Sequence, residues 1–319
     1  VRDSRVAFAR VCQALGGNPT RELRTIGITG SAGKTVTAML VASIFEAAGE
    51  AADVMSSLGH SDSIDQRAAT SETPTPPEFA TWLARMRASN CEAAVLELSS
   101  RALAERRTSG IELDAAILTN IKSEHLDEHN TSRAYVKIKR RIFKLLKEGG
   151  VAIVNADDHR CRNLLAEIDG PCLTFALHAE ADITASVIER HSSEQTFLLT
   201  AGDQVVPVRT RIIGDQHVSN CLAAAAAGLS AGLELDVIVR GLEAVERVPG
   251  RMERLECGQP FSVFVDAAAS PETLTLAIKT ARQVTTGRVL VVSGPREADD
   301  AARRALLGRV LERGAHVAI

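Results

Sequence analysis

Gly27-Ile28-Thr29-Gly30-Ser31-Ala32-Gly33-Lys34-Thr35 is the stretch that decides the fold. A β-branched run, Thr25-Ile26-Gly27-Ile28-Thr29, leads into it, and an apolar segment from Lys34 to about Ala48, stopped by Gly49, follows. Strand, glycine-rich turn and helix in that order open a nucleotide-binding α/β unit. The residue types carry the chemistry. Glycines let backbone N–H groups close around phosphate oxygens, Lys34 brings a mobile positive charge to the terminal phosphates, and the Thr35 hydroxyl can ligate Mg²⁺. The spacing departs from the general phosphate loop, because Ile28 stands where a glycine belongs and the glycine sits one position earlier, at Gly27.

Outward from the loop, short continuous apolar runs at Ala93 to Leu98, Ala115 to Leu118, Val151 to Val154 and Cys172 to Ala176 read as buried parallel strands of one doubly wound sheet. Alternation between Ile183 and Ile213 predicts a small antiparallel section, and Ala-rich helices follow at about Ser219 to Leu229 and Leu235 to Val245, with Ala223 to Ala227 as helix filler. After the turn signal Pro249-Gly250 a fresh alternation begins: strand Phe261 to Asp266, helix Pro271 to Ala281, strand Arg288 to Val292, helix Asp299 to Arg313, strand His316 to Ile319. Ahead of the loop, Val1 to Gly17 reads as an amphipathic helix with Val6, Phe8, Ala9, Val11, Cys12 and Leu15 near one face. The fold class is therefore α/β. Residues 24–246 form a central phosphate-loop domain with a mostly parallel sheet, 247–319 a partial Rossmann-like domain, and 1–23 a lead-in.

The 319 residues are 45% hydrophobic, enough for one large domain core and part of another. A formal charge of -3 and a pI near 6.3 leave no positive field for nucleic acid, and small anionic substrates held by local groups are expected instead. The six cysteines include no C-x-x-C pair, which argues against a zinc knuckle or disulfide scaffold and fits a reduced, cytoplasmic protein with cysteines packed in its interior. No apolar run approaches the roughly 20 residues that span a bilayer. No membrane association is expected.

Four ordered motifs resemble those of the Mur ligase family. The loop resembles G-x-T-G-T-N-G-K-T/S, and Glu97-Leu98-Ser99-Ser100-Arg101-Ala102-Leu103 is similar to E-V-S-S-H-A-L of the family's tripeptide synthetases. Thr119-Asn120-Ile121-Lys122-Ser123-Glu124-His125-Leu126-Asp127-Glu128-His129 resembles T-N-L-T-R-D-H-L-D-Y-H, and Tyr135, Lys139, Ile142 and Phe143 follow in the family's A-Y-x-x-x-K-x-x-L-F frame. Val248-Pro249-Gly250-Arg251-Met252-Glu253 stands at the entry to the last domain. The resemblance covers almost the whole chain. It implies ATP-dependent addition of an amino acid to UDP-MurNAc-dipeptide in peptidoglycan synthesis, with ATP and Mg²⁺ required, in a cytoplasmic monomer.

It also implies a set of site residues. Gly30, Ser31, Ala32, Gly33, Lys34, Thr35 and Thr37 would bind the nucleotide phosphates, and Asn220 the adenine. Glu97 and His125 each follow a buried strand, so both emerge at the carboxyl end of the sheet, where a carboxylate and an imidazole can hold a divalent ion; a lone histidine is otherwise more often structural. Lys139 reads on sequence alone as a surface charge of a basic helix from Lys137 to Lys147. The family match makes it a carbamylated lysine, whose carboxylate-like head would hold one Mg²⁺ with Glu97 and His125, while Thr35 and Glu97 hold another. Lys34, Glu97, His125 and Lys139 are then the catalytic set. Thr73, Ser99 and Arg107 match positions that contact the UDP-MurNAc-peptide, Arg107 because a guanidinium suits a carboxylate or phosphate, although capping or turn roles serve Thr73 and Ser99 equally.

Several positions depart from the family pattern. Its loop Asn is Ala32, the His of S-S-H is Arg101, the Asp before the metal-binding His is Glu124, and D-Y-A-H-T-P has become Asp266-Ala267-Ala268-Ala269-Ser270-Pro271. Residues 1–23 resemble only the exit segment of the family's UDP-gripping domain, and the D-N-P-R-type motif that selects the amino acid has no counterpart, so the polypeptide alone is expected to lack ligase turnover. Two alternatives stay open: a folylpolyglutamate synthetase-like ligase, whose loop normally reads G-K-G-S, and a degenerate paralogue that binds nucleotide without catalysis.

Overall fold

The computed structural model describes residues 3–62, 65–68, 73–122, 132–294 and 301–319. Its centre is a sheet of eleven strands, in the order β11-β10-β9-β8-β7-β6-β1-β5-β2-β3-β4 among the described residues. These are β1 Arg24–Thr29, β2 Ala52–Ser56, β3 Gly59–Asp62, β4 Asp65–Ala68, β5 Ala93–Glu97 and β6 Leu113–Leu118, then β7 Leu146–Asn155, β8 Cys172–Ala176, β9 Ile183–Arg190, β10 Gln195–Ala201 and β11 Gln204–Thr210. From β2 across β5, β1, β6, β7 and β8 to β9 every pairing is parallel. The two ends are antiparallel. The alternating segment is thus an extension of the main sheet, and Pro207, which cannot donate to a ladder, sits in the edge strand β11.

The apolar runs are continuous because both faces of the sheet are covered. Ala93 and Val95 of β5, Ile26 and Ile28 of β1, and Ala115 and Ile117 of β6 face α2 (Lys34–Ala47), α7 (Asp215–Ser230) and α8 (Leu235–Ala244). Ala94, Leu96 and Ala116 face α3 (Pro76–Ala88) and the short α4 (Ser100–Ala104). Period-two alternation across two helix layers needs apolar residues at every position. Between α4 and α7 in sequence lie α5 (Ser132–Lys139) and the short α6 (His159–Arg162).

Three readings are corrected. Ala223 to Ala227 is no filler: all five are at most 1% exposed, and their methyl-sized side chains let α7 lie against the sheet and α2 together. The helix α1 (Ser4–Leu15) buries Ala9 and Gln13 against α3, while Phe8, Val11 and Leu15 are exposed, because small Ala9 permits the close approach that bulky neighbours would block. The basic helix ends at Lys139. A 3₁₀ segment Arg140–Leu145 follows, and β7 takes over at Leu146. Cys91, Cys161 and Cys221 are buried, whereas Cys172 and Cys257 are exposed and Cys12 is half-buried.

Residues beyond α8 form β12 (Glu253–Leu255) paired antiparallel with β13 (Val263–Val265), then α9 (Pro271–Gln283), β14 (Leu290–Val291), α10 (Ala301–Gly314) and β15 (Val317–Ala318), with β14 and β15 parallel. Ser270 caps α9 by a reciprocal capping box with Thr273. This unit meets the central one at Gly214, where an added Cβ would lie 2.8 Å from Thr280 Oγ1.

Gln195 holds that junction. Its amide is buried on β10, donates to the Ile212 and Gly214 carbonyls at 3.2 Å each and accepts from the Gly214 N–H at 2.9 Å. The Ile212 carbonyl also accepts from Thr210 Oγ1, and the Gly214 carbonyl from the His217 and Val218 N–H groups. Replacing Gln195 therefore strands chiefly the Gly214 N–H, at about 1–3 kcal/mol before relaxation. Gln195→Ala is expected to lower the urea unfolding midpoint clearly, and a midpoint equal to wild type would contradict this role.

Candidate active site

The carboxyl ends of β1, β5 and β6 open into a cleft of about 1460 Å³. It is lined by the loop Gly30 to Thr35, by Glu97, Ser99 and Arg107, by Lys139 and Asn220, and by Arg251 and Asp266 to Thr273 from the C-terminal unit. Open α/β sheets bind ligands at this edge, where the adjacent strands β1 and β5 send their connections in opposite directions, to β2 and to β6.

The loop is fixed by its neighbours. The Ala32 peptide is clamped by one amide: Asn120 Oδ1 accepts from Ala32 N at 2.9 Å, and Asn120 Nδ2 donates to Ala32 O at 2.9 Å. Thr119 Oγ1 adds a bond to Ala32 O at 2.7 Å, and Ser31 N–H donates to the Asn120 carbonyl at 3.0 Å. Gly33 has φ 87°, and a Cβ on it would fall 2.3 Å from Asn220 Oδ1, while a Cβ on Gly30 would fall 1.8 Å from Thr119 Oγ1. Only glycine satisfies both the left-handed backbone and the contact at Gly33. The turn delivers α2 with its first N–H groups unbonded within the helix and facing outward, the usual anion site of a helix start.

Charged groups gather beside it. Lys34 Nζ donates to the Gly30 and Ser31 carbonyls at 3.2 and 3.4 Å and lies 3.9 Å from Glu97 Oε1. Thr35 Oγ1 donates to Glu97 Oε2 at 2.9 Å. Lys139 is 1% exposed, donates to Gly30 O at 2.8 Å and lies 4.7 Å from the Tyr135 ring centroid. It is no surface charge. A lysine is buried only where partners offset the cost of desolvating it, and here it lies directly under the phosphate loop. His125 lies outside the described residues, and among these no three His, Cys, Asp or Glu side chains gather to hold a metal. The donors present still suit Mg²⁺, a hard cation that takes oxygen ligands and commonly needs only one or two carboxylates beside substrate phosphates. Thr35 and Glu97 supply such oxygens 2.9 Å apart.

Thr73, Ser99 and Arg107 come together at the cleft wall. The Thr73 and Ser99 hydroxyls are 2.9 Å apart, and Arg107 donates to the Thr73 carbonyl at 2.8 Å. Ser99 also caps α4 through the Ala102 N–H. Arg107 Nη2 lies 2.6 Å from Glu105 Oε2. Burial works against the charge on Glu105, but hydrogen bonds from Arg101 and Arg107 outweigh it and hold the carboxyl below its ordinary range. Thr37 is placed differently from its expected role. It is fully buried within α2 and does not line the cleft, and its hydroxyl has no partner among the described residues. Asn220 does line it, on α7 facing Gly33.

Sequence reading missed Ser57, His217 and the clamp role of Asn120. Ser57 directly follows β2, and its position at the sheet's carboxyl edge is the signal that could have found it. His217 lines the cleft one helical turn before Cys221, whose Sγ lies 3.5 Å from its Nε2.

A model of the Mur ligase middle domain matches residues 28–228, and a model of the Mur ligase glutamate ligase domain matches residues 250–319. The chain belongs to the Mur ligase family. As a Mur ligase it is 36% identical to the UDP-N-acetylmuramyl-tripeptide synthetase of Roseiflexus sp. (strain RS-1), over 98% of this chain and 65% of that protein. It is 31% identical to the UDP-N-acetylmuramoyl-L-alanyl-D-glutamate--2,6-diaminopimelate ligase of Syntrophomonas wolfei, over 97% and 63%. The fold also matches a MurF from Acinetobacter baumannii at a TM-score of 0.80 and 24% identity, covering 98% of this chain and 66% of that one. The chain thus spans slightly less than two thirds of the length of these two curated relatives. No helix among its described residues is long and apolar enough to cross a membrane.

His217 gives this Mur ligase a pH signature. Burial pushes its pKa down from 6.5 to about 3, so the unfolded chain takes up the proton first as pH falls. Stability is whole above the unfolded pKa and is lost as pH falls from there toward 3, at up to about 1.4 kcal/mol per pH unit. Denaturant unfolding is expected to weaken less steeply in His217→Gln than in wild type, by about 2 kcal/mol in total between pH 6.5 and pH 5. Identical slopes would mean that His217 is not held neutral by the fold.

Proposed function

We propose that this chain carries the ATP site and part of the acceptor site of a cytoplasmic ligase that adds an amino acid to UDP-MurNAc-dipeptide. One observation carries the reading: the Lys34, Thr35 and Glu97 cluster shares a single cleft with Thr73, Ser99 and Arg107. The first group suits a nucleoside triphosphate and the second an anionic acceptor. The relatives, a tripeptide synthetase and a 2,6-diaminopimelate ligase, agree with that pairing.

In the proposed reaction an oxygen of the acceptor carboxylate attacks the γ-phosphorus and ADP leaves, giving an acyl phosphate. The amine nitrogen of the amino acid then attacks the acyl carbon, phosphate departs and the nitrogen loses its proton. No side-chain nucleophile is needed, and orientation with charge neutralisation carries the rate. The N–H groups at the start of α2 cradle the β- and γ-phosphates, and Lys34 turns from its loop carbonyls to the γ-phosphate as charge spreads over it. Arg107 and the paired hydroxyls of Thr73 and Ser99 orient the acceptor. Asn220, against Gly33, borders the base. One Mg²⁺, held by Thr35 and Glu97, and a second, held by Glu97, His125 and the Lys139 carbamate, would neutralise the phosphate oxygens.

Lys139 is proposed to act as its carbamate. The neutral amine adds to the carbon of CO₂, forming an N–C bond and releasing a proton, which turns a buried cation into an anion suited to a second Mg²⁺. Labelled bicarbonate should give a carbamate carbonyl signal in the NMR spectrum of the wild type and none in Lys139→Arg. Equal signals in both would remove Lys139 from the site.

The reading is tested by mass spectrometry on the complete gene product that contains these residues, given ATP, UDP-MurNAc-dipeptide and each candidate amino acid. The expected result is a UDP-MurNAc-tripeptide with one ADP per amide formed. In isothermal calorimetry on this chain, Lys34→Ala should weaken Mg-ATP at least about tenfold, as loss of a charged hydrogen bond implies. ATP binding unaffected by that change, or ATP consumed with no amide product, would contradict the assignment.

A further inference from the structure

Ser57 is half-buried, directly follows β2 and lines the cleft beside the loop. Its backbone N–H donates to Glu97 Oε2 at 3.0 Å, and its Oγ lies 3.1 Å from Thr35 Oγ1. Counting hydrogens fixes the direction of that second bond. Thr35 has one hydroxyl hydrogen and gives it to Glu97 Oε2 at 2.9 Å, so the hydrogen between the two hydroxyls comes from Ser57. The three residues, from the end of β2, the start of α2 and the end of β5, close a ring on one carboxylate oxygen.

We propose that Ser57 is a positioning residue that sets the Thr35 hydroxyl and the Glu97 carboxylate in the arrangement that receives the divalent cation of a bound nucleoside triphosphate. This rests on the nucleotide reading of the cleft given above.

The ring has a specific consequence for the donor atoms. With its hydrogen on Glu97 and one lone pair accepting from Ser57, Thr35 Oγ1 keeps its second lone pair for a cation. Glu97 Oε2 is turned toward Ser57 and Thr35, which leaves Oε1 as the carboxylate oxygen on the Lys34 side, 3.9 Å from Nζ. Without the Ser57 hydroxyl the Thr35 side chain stays bonded to Glu97 but can rotate about that single bond. Mg²⁺ demands near-ideal octahedral geometry at about 2.0–2.1 Å, so a loosened hydroxyl weakens cation affinity more than phosphate affinity. The phosphates contact the backbone N–H groups of the loop, which Ser57 does not touch. Ser57 should therefore be felt only when the cation is present.

The test is isothermal calorimetry of a nonhydrolysable ATP analogue on the 319-residue chain, with Mg²⁺ and with a chelator. Wild type, Ser57→Ala, Ser57→Val and Ser57→Thr are compared. The isosteric Val and Thr pair separates the hydroxyl from the space it fills. In Mg²⁺, Ser57→Ala and Ser57→Val are expected to bind about fivefold more weakly, the worth of one hydrogen bond, with Ser57→Thr close to wild type. In chelator all four should bind alike. If the Val variant tightens with Mg²⁺ as much as wild type, or loses the same factor in chelator, Ser57 has no cation-positioning role and the proposal falls while the nucleotide site stands. If wild type itself gains nothing from Mg²⁺, the cation reading of Thr35 and Glu97 falls, and this proposal falls with it.

Discussion

The turn between β1 and α2 has no spare room, and the site depends on that confinement. Thr119 and Asn120 press on it from the end of β6, Asn220 closes over Gly33 from α7, and Lys139 rises beneath Gly30 from α5. Each contact comes from a different element. The loop is therefore in place only when the sheet, the helix layer formed by α2 and α7, and α5 are all in place. The buried alanines of α7 belong to the same constraint, because they bring Asn220 within reach of Gly33. A polyphosphate cradle of backbone N–H groups is useful only if it is preorganised, and here the packing of the whole domain supplies that.

The charge balance around the loop follows from the same geometry. The chain as a whole carries a formal charge of -3, yet Lys34 and Lys139 both lie at the loop, Lys34 3.9 Å from Glu97 Oε1 and Lys139 donating to Gly30 O. On the cleft wall Arg101 and Arg107 share Glu105. Described cationic side chains face both places, within a protein that has no net positive field to attract polyanions at long range. Anion affinity is thus a property of short-range groups, as expected for small phosphorylated ligands. Carbamylation of Lys139 would reverse one of those charges, and a divalent cation would then be needed to keep the region suited to phosphate.

Much of this was legible in sequence because the physics is local. Strand, glycine turn and helix at Thr25 to Ala48 depend on nearest neighbours, and the runs of β5, β6 and β7 announce a sheet buried on both faces. Thr73, Ser99 and Arg107, placed by family motifs, do converge on one wall of the cleft. What depends on tertiary packing was not legible. Polar β3 and β4 carry no apolar period, so the hairpin they form left no pattern. Lys139 sits among Lys137, Arg140 and Arg141, and composition alone makes it a surface charge; only the placement of α5 under the loop buries it. Thr37 shares a helix with Thr35 but not its direction. Ser57 belongs to no motif, since its role comes from two partners distant in sequence.

The most direct measurement of the central claim is a crystal structure of this chain with a nonhydrolysable ATP analogue and Mg²⁺. The β- and γ-phosphates should lie over the N–H groups of Gly33, Lys34 and Thr35, with a cation bound to Thr35 Oγ1 and Glu97. A nucleotide seated elsewhere in the cleft, or phosphates at the loop with no cation near Glu97, would contradict the account.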